Sequence, residues 1–98
     1  MLRHVVLIRW NEGTTPEQVE AATAALRALP GQIPEILSYT CGPDVRQAEG
    51  NFDFALTGQF ADFESFLAYR NHPAHQAVLA DHLVPNWAQR VAVQFQEP

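Results

Sequence analysis

Cys41 is the only cysteine in 98 residues, so no intrachain disulfide can brace the chain. Positive charge is also scarce. Six basic residues stand against eleven acidic ones, the formal net charge is −5, and no basic run occurs. Nucleic-acid binding draws on Lys or Arg clustered against phosphates, so that class is set aside. No basic amphipathic segment points to a membrane surface. The apolar run after Met1 is too short to span a bilayer and has no small-residue cleavage site, which makes a cytoplasmic setting the simplest expectation. There is no glycine-rich phosphate loop, since Gly42-Pro43-Asp44 reads as a turn, and nothing calls for a nucleotide, flavin or haem cofactor. No repeat, low-complexity tract or linker divides the chain, so residues 1–98 are read as one domain.

Apolar residues make up 47% of the chain, which is ordinary for a globular protein and too many for a disordered one. A chain of this length buries only about two-thirds of its unfolded surface, so association with a second copy would add useful burial.

The apolar patterning predicts the elements. Residues 4–10 are rich in Val and Ile and apolar on both faces, as a central, doubly covered strand would be. Thr15-Pro16-Glu17-Gln18 reads as a helix start, with Thr15 capping, Pro16 at the first helical position and Gln18 completing a capping box. Val19, Ala22, Leu26 and Leu29 form one helical stripe, and Pro30-Gly31 ends it. Residues 36–41 read as a second strand. A third follows a polar connection, with Phe52, Phe54, Leu56 and Phe60 on one face. Asp62 caps a short helix carrying Phe63, Phe66, Leu67 and Tyr69. His72-Pro73 breaks that helix, and a second piece runs to about residue 84. Residues 87–95 form a last strand with Val91, Val93 and Phe95 on one face.

The order is βαββαβ, an α+β, ferredoxin-like arrangement with both helices on one face of a four-stranded antiparallel sheet. The other face keeps Val5 and Leu7, with Ala55 and Ala92 expected beside them. Such a patch marks an interface. Two sheets packed face to face would make a homodimer with a dimeric α/β barrel.

The one dense cluster of acid–base groups is Tyr69-Arg70-Asn71-His72-Pro73-Ala74-His75. Imidazole titrates near neutral pH and can take or give a proton, and a phenol can hydrogen-bond an oxygen that gains charge. Tyr69 and His75 therefore suit proton abstraction beside a carbonyl. Equally, they read as a half-buried aromatic and a surface histidine at a loosely packed helix start. His72 reads as a cap for the second helical piece as well as a ligand contact. His4, on the side of Val6 and Ile8, would sit at the mouth of the same cleft or be a satisfied structural residue. The phenylalanines are core by default, and some could wall a ligand cavity. His75 and His82 are seven apart, but no His-x-x-x-His pair occurs, so no metal site is expected.

His-Pro-Ala-His after an aromatic-rich helix, in a chain opening His4-Val5-Val6-Leu7-Ile8, resembles the stress-responsive dimeric A/B barrel family. The resemblance implies a homodimer of ferredoxin-like subunits. A plant polyketide cyclase of that family uses a Tyr and a His in the same Tyr-x-x-His-Pro-Ala-His frame, which implies Tyr69 and His75 as catalytic residues here. It implies a pocket role for His4 on the first strand. The cyclase's remaining pocket histidine falls at Phe54, which cannot hydrogen-bond and makes this pocket less polar. Phe54, Phe66, His4 and His72 are thus the expected substrate contacts. The expected function is binding of a small apolar carbonyl or aromatic compound between helices and sheet, with cofactor-free, cyclase- or lyase-like acid–base chemistry. The alternative is a non-catalytic stress-response or assembly protein, which would show a filled core and His75 turned to solvent.

Overall fold

The computed structural model describes residues 1–98. The first strand, β1 (Leu2–Trp10), lies inside the sheet. Helix α1 (Pro16–Arg27) and a single 3₁₀ turn (Leu29–Gly31) follow, then β2 (Ser38–Pro43) and β3 (Phe54–Phe60). Helix α2 (Phe63–Asn71) leads directly into α3 (Pro73–Val78), a π-type turn (Leu79–Leu83) and β4 (Trp87–Gln96). The sheet order is β2-β3-β1-β4 and every pairing is antiparallel. This is the βαββαβ ferredoxin-like order, with its second helix broken in two.

Local chemistry sets the helix ends. Thr15 Oγ1 accepts from the Gln18 N–H at 3.2 Å, and Gln18 Oε1 accepts from the Thr15 N–H at 2.8 Å, closing the expected capping box. Asp62 Oδ1 accepts from the Ser65 N–H at 2.8 Å and caps α2. A cap of this kind contributes about 1 kcal/mol. Pro73 lacks an N–H and pushes the residue before it out of the helical region. His72 accordingly takes an extended conformation, ending α2 and capping α3 through Nδ1, which accepts from the Ala74 N–H at 3.0 Å.

β1 begins at Leu2 and β2 runs on through Gly42 and Pro43, which read as a turn from sequence, while two strands start later than in the sequence reading. β2 starts at Ser38, because Ile36 still closes a turn onto the Ile33 carbonyl. β3 starts at Phe54, because Asp53 is held in a clasp. Its carboxylate accepts from the Trp10 N–H at 2.8 Å and from Arg46 Nη1 at 2.7 Å, while its own N–H donates to the Ile8 carbonyl. Asp53 is therefore a joint between β1 and the polar connection rather than a solvated charge. Arg46 at this joint has φ +62°, a left-handed conformation that non-glycine residues seldom take.

Alternation along β1 buries Leu2, His4, Val6 and Ile8 under the helices. The opposite face carries Val5 and Leu7. Their register partners on β4 are Val93 and Val91, whereas Ala92 pairs with Val6 and so lies on the helix side. The apolar outer face is therefore Val5, Leu7, Ala55, Val91, Val93 and Phe95, and Ala92 is not part of it. In the single chain Leu7, Val91, Val93 and Phe95 remain exposed. Between Arg9 and Trp10 the β1–β4 register shifts by one residue, so that Trp10 faces Trp87 and Ala88 is the extra residue.

Candidate functional site

One row of the sheet runs Tyr39–Gly58–His4–Gln94 across β2, β3, β1 and β4. Above it lie Phe66 and Tyr69 from α2 and His75 from α3. The rings gather closely. Tyr69 and His75 have centroids 4.3 Å apart, His4 and Phe66 4.8 Å, and His4 and Tyr69 6.0 Å. Because α2 stops at His72, α3 can turn His75 back onto Tyr69, which a straight helix would not do for residues six apart.

These rings border a cavity of about 360 Å³, a size typical of small-molecule sites. Val6, Ile8, Leu26, Leu56, Leu79 and Leu83 supply its apolar wall, and Arg70, Asn71, Gln76, Trp87 and Arg90 also line it. His4, Tyr69 and His75 are all more than nine-tenths buried, so His75 is not the loosely packed surface group that its place at a helix start suggested.

The hydrogen bonds assign the imidazole tautomers. His75 Nδ1 lies 2.9 Å from the Arg70 carbonyl, which can only accept, so Nδ1 carries the proton and Nε2 keeps a free lone pair. His4 Nδ1 lies 2.9 Å from the Gln94 amide nitrogen, which can only donate, so His4 carries its proton on Nε2. Burial, together with the Arg90 cation and His75, lowers the His4 pKa to about 4. Burial also pulls His75 below the usual imidazole value, against the opposing pull of its bond to Arg70. Both rings are neutral at pH 7, one offering an acceptor and the other a donor.

Tyr69 Oη lies 2.6 Å from Tyr39 Oη. Burial pushes the Tyr69 phenol up to about 12 despite that bond, and burial with the neighbouring Tyr69 raises Tyr39 further. Both phenols stay protonated. Gly58 leaves room for Tyr39, since a Cβ there would sit 3.1 Å from Tyr39 Cδ1. When Tyr39 donates to Tyr69, the Tyr69 proton is free for a ligand oxygen, and the bond received makes it a stronger donor.

Of the residues expected from sequence, His4, Phe66, Tyr69 and His75 come together here. Phe54 does not. It lies in the Ile8 row, four residues along β3 from Gly58, packed against Trp10 at 5.5 Å, and it borders a separate, more open depression with Leu7, Phe52 and Ala55. His72 is also outside the cavity lining, its Nδ1 held by the α3 cap. His72, His75 and His82 do not converge into a three-ligand group.

Tyr39, Gln94 and Arg90 were missed. Arg90 and Gln94 follow from strand alternation once Val91, Val93 and Phe95 are assigned to the opposite face. Tyr39 has no local signal, because its partner is thirty residues away.

The model of the stress responsive A/B barrel domain matches residues 2–97. The chain belongs to this family. An uncharacterised protein of Streptomyces coelicolor is 35% identical to this A/B barrel chain over 82 residues, covering 82% of this chain and 84% of its own. A dimeric ferredoxin-like protein of unknown function from Thermobifida fusca superposes with a TM-score of 0.91 at 46% identity, covering 98% of this chain and 90% of its own. A hydroxynitrile lyase from Passiflora edulis shares the fold, with a TM-score of 0.83 at 20% identity over 96% of this chain and 90% of its own. No helix of this A/B barrel protein is long and apolar enough to cross a membrane.

Proposed function

We propose that this protein binds a small, largely apolar carbonyl or aromatic compound in the cavity and performs cofactor-free acid–base chemistry on it. The observation that carries the reading is the bond from His75 Nδ1–H to the Arg70 carbonyl. It orients a neutral imidazole whose Nε2 lone pair remains available, with the ring 4.3 Å from the Tyr69 ring between centroids. In the step we propose, Nε2 takes a proton from the carbon next to the carbonyl. The C–H electron pair becomes the enolate π bond and the carbonyl π pair moves onto oxygen, where hydrogen bonds from Tyr69 and the His4 Nε2–H stabilise it. The enolate carbon then attacks a second carbonyl, and the resulting alkoxide recovers the proton from His75. This is cyclase-type closure, and no redox partner enters the balance.

The same reading includes a homodimer in a cytoplasmic setting. The exposed outer face, with Leu7, Val91, Val93 and Phe95, supports sheet-to-sheet association, as does the dimeric state of the Thermobifida fusca relative. An open cavity with His75 turned inward supports this function over a purely structural assembly protein.

The test is a thermal-shift screen of apolar carbonyl compounds, followed by turnover assays on His75→Ala. Removing a general base costs about two to four orders of magnitude in rate. Because His75 is buried and hydrogen-bonded, the variant should also lose about 1–3 kcal/mol of stability. An assay at a temperature where both proteins are folded separates the two effects. Normal ligand handling by a folded His75→Ala protein would refute the proposal.

A further inference from the structure

The chain carries eleven acidic residues and six basic ones, and all six are arginines. Four of these guanidinium groups have partners. Arg3 pairs with Glu97 and Arg46 with Asp53. Arg27 donates to the Cys41 carbonyl at 2.9 Å, and Arg9 stacks on Phe52 at 4.4 Å. The remaining two, Arg70 and Arg90, take part in neither of the chain's ion pairs. Both line the cavity, and no Asp or Glu lines it. An acidic protein has thus placed its two uncommitted cations at one opening.

Arg90 is the better aimed of the two. It lies opposite Ile8 on β4, on the helix side of the sheet, and is exposed at the cavity edge. Its charge reaches inward and depresses the proton affinities of His4, Tyr69 and His75 alike. Arg70 approaches from α2, and its backbone carbonyl already orients His75. A guanidinium offers a planar fork of donors that fits a carboxylate in two parallel hydrogen bonds. The wall behind it is apolar.

We infer that the cavity takes an aryl or alkyl oxo acid, its carboxylate held at the mouth by Arg90 with help from Arg70 and its carbon chain directed inward. This rests on the function proposed above and narrows its substrate class. The arrangement puts the ligand's carbonyl between the anchored carboxylate and the apolar end, within reach of Tyr69, His4 and His75. It also gives the site a filter, because a neutral ketone of the same shape lacks the anchoring group.

The experiment measures binding of matched pairs by calorimetry: benzoylpropionate and a medium-chain oxo acid, oxodecanoate, each against its methyl ester. The wild-type protein should prefer each acid by about tenfold or more, the range of a charge-assisted hydrogen bond. That preference should shrink as salt is raised, because the pair sits at the opening. Arg90→Gln should bring the acid down to the affinity of its ester, and Arg90→Lys should restore part of the difference. Arg90 is exposed, so neither change should unfold the chain. Esters that bind wild type as tightly as the acids, or an acid preference that survives Arg90→Gln, would overturn this inference and leave the function above standing. Binding of none of the four probes would overturn that function, and this inference with it.

Discussion

The hydrogen bond between Tyr39 and Tyr69 allows a prediction that depends on both hydroxyls at once. At 2.6 Å it is a short O–H···O bond. Tyr69 is buried and Tyr39 half-buried. Either Tyr→Phe change removes one hydroxyl and strands the other. A buried hydroxyl without a partner costs about 1–3 kcal/mol, whereas removing both partners is close to neutral. Tyr39→Phe should cost about 2 kcal/mol, because it strands the more deeply buried group. Tyr69→Phe should cost about 1 kcal/mol, since water can reach Tyr39 more easily. The double variant leaves neither hydroxyl stranded and should cost close to nothing, a coupling of about 2–3 kcal/mol against the summed single changes. Urea unfolding of the four proteins at one protomer concentration measures this, provided the transitions share a slope. Additivity within about 0.3 kcal/mol would show that the hydroxyls ignore each other. The account of how Tyr69 is oriented would then be wrong.

Acid should weaken the fold through its imidazoles. His4 and His75 bind protons less readily in the folded chain than in the unfolded one, so their contribution is complete above the ordinary histidine value of 6.5. It is lost as pH falls from there toward about 4, where folded His4 protonates. The paired carboxylates Asp53 and Glu97 act lower, below their ordinary values of 3.8 and 4.5, so a decline that begins near 6.5 belongs to the histidines. Unfolding free energies that stay flat from neutral pH to about 5 would contradict this. Leu7→Glu places a charge in the centre of the apolar outer face. Leu7 is already 36% exposed in the single chain, so the variant should remain folded and sediment as a monomer while wild type sediments as a dimer. A Leu7→Glu protein that stays dimeric at micromolar concentration would reject the outer face as the interface.

Features written within a few residues of one another were legible. The Thr15–Gln18 box, the Asp62 cap and the break at His72-Pro73 depend on side chains three or fewer positions from the groups they satisfy. Alternation placed His4 on the inner face of β1 in the same way. What the chain hid was register. Ala92 was assigned to the wrong face because nothing local says that Val91, rather than Ala92, lies opposite Leu7. Phe54 aligns with a pocket position in the cyclase frame, yet here its row of the sheet lies beside Trp10. His75 looked exposed because its burial comes from α3 packing back on α2 and against α1, an arrangement that its place at a helix start does not reveal.

The one-residue shift between β1 and β4 decides which surface the edge strand serves. In a regular strand Trp87 would share a face with Gln89, Val91 and Val93, and its indole would join the outer sheet surface. The extra residue at Ala88 reverses that parity at the strand's start, and Trp87 swings inward to meet Trp10 and border the cavity. β4 thereby gives its aliphatic residues to one side and its indole to the other. Were Ala88, rather than Trp87, to pair with Trp10 in a regular strand, these allegiances would exchange at a single point, taking the indole from the ligand site and adding it to the surface through which two copies would meet.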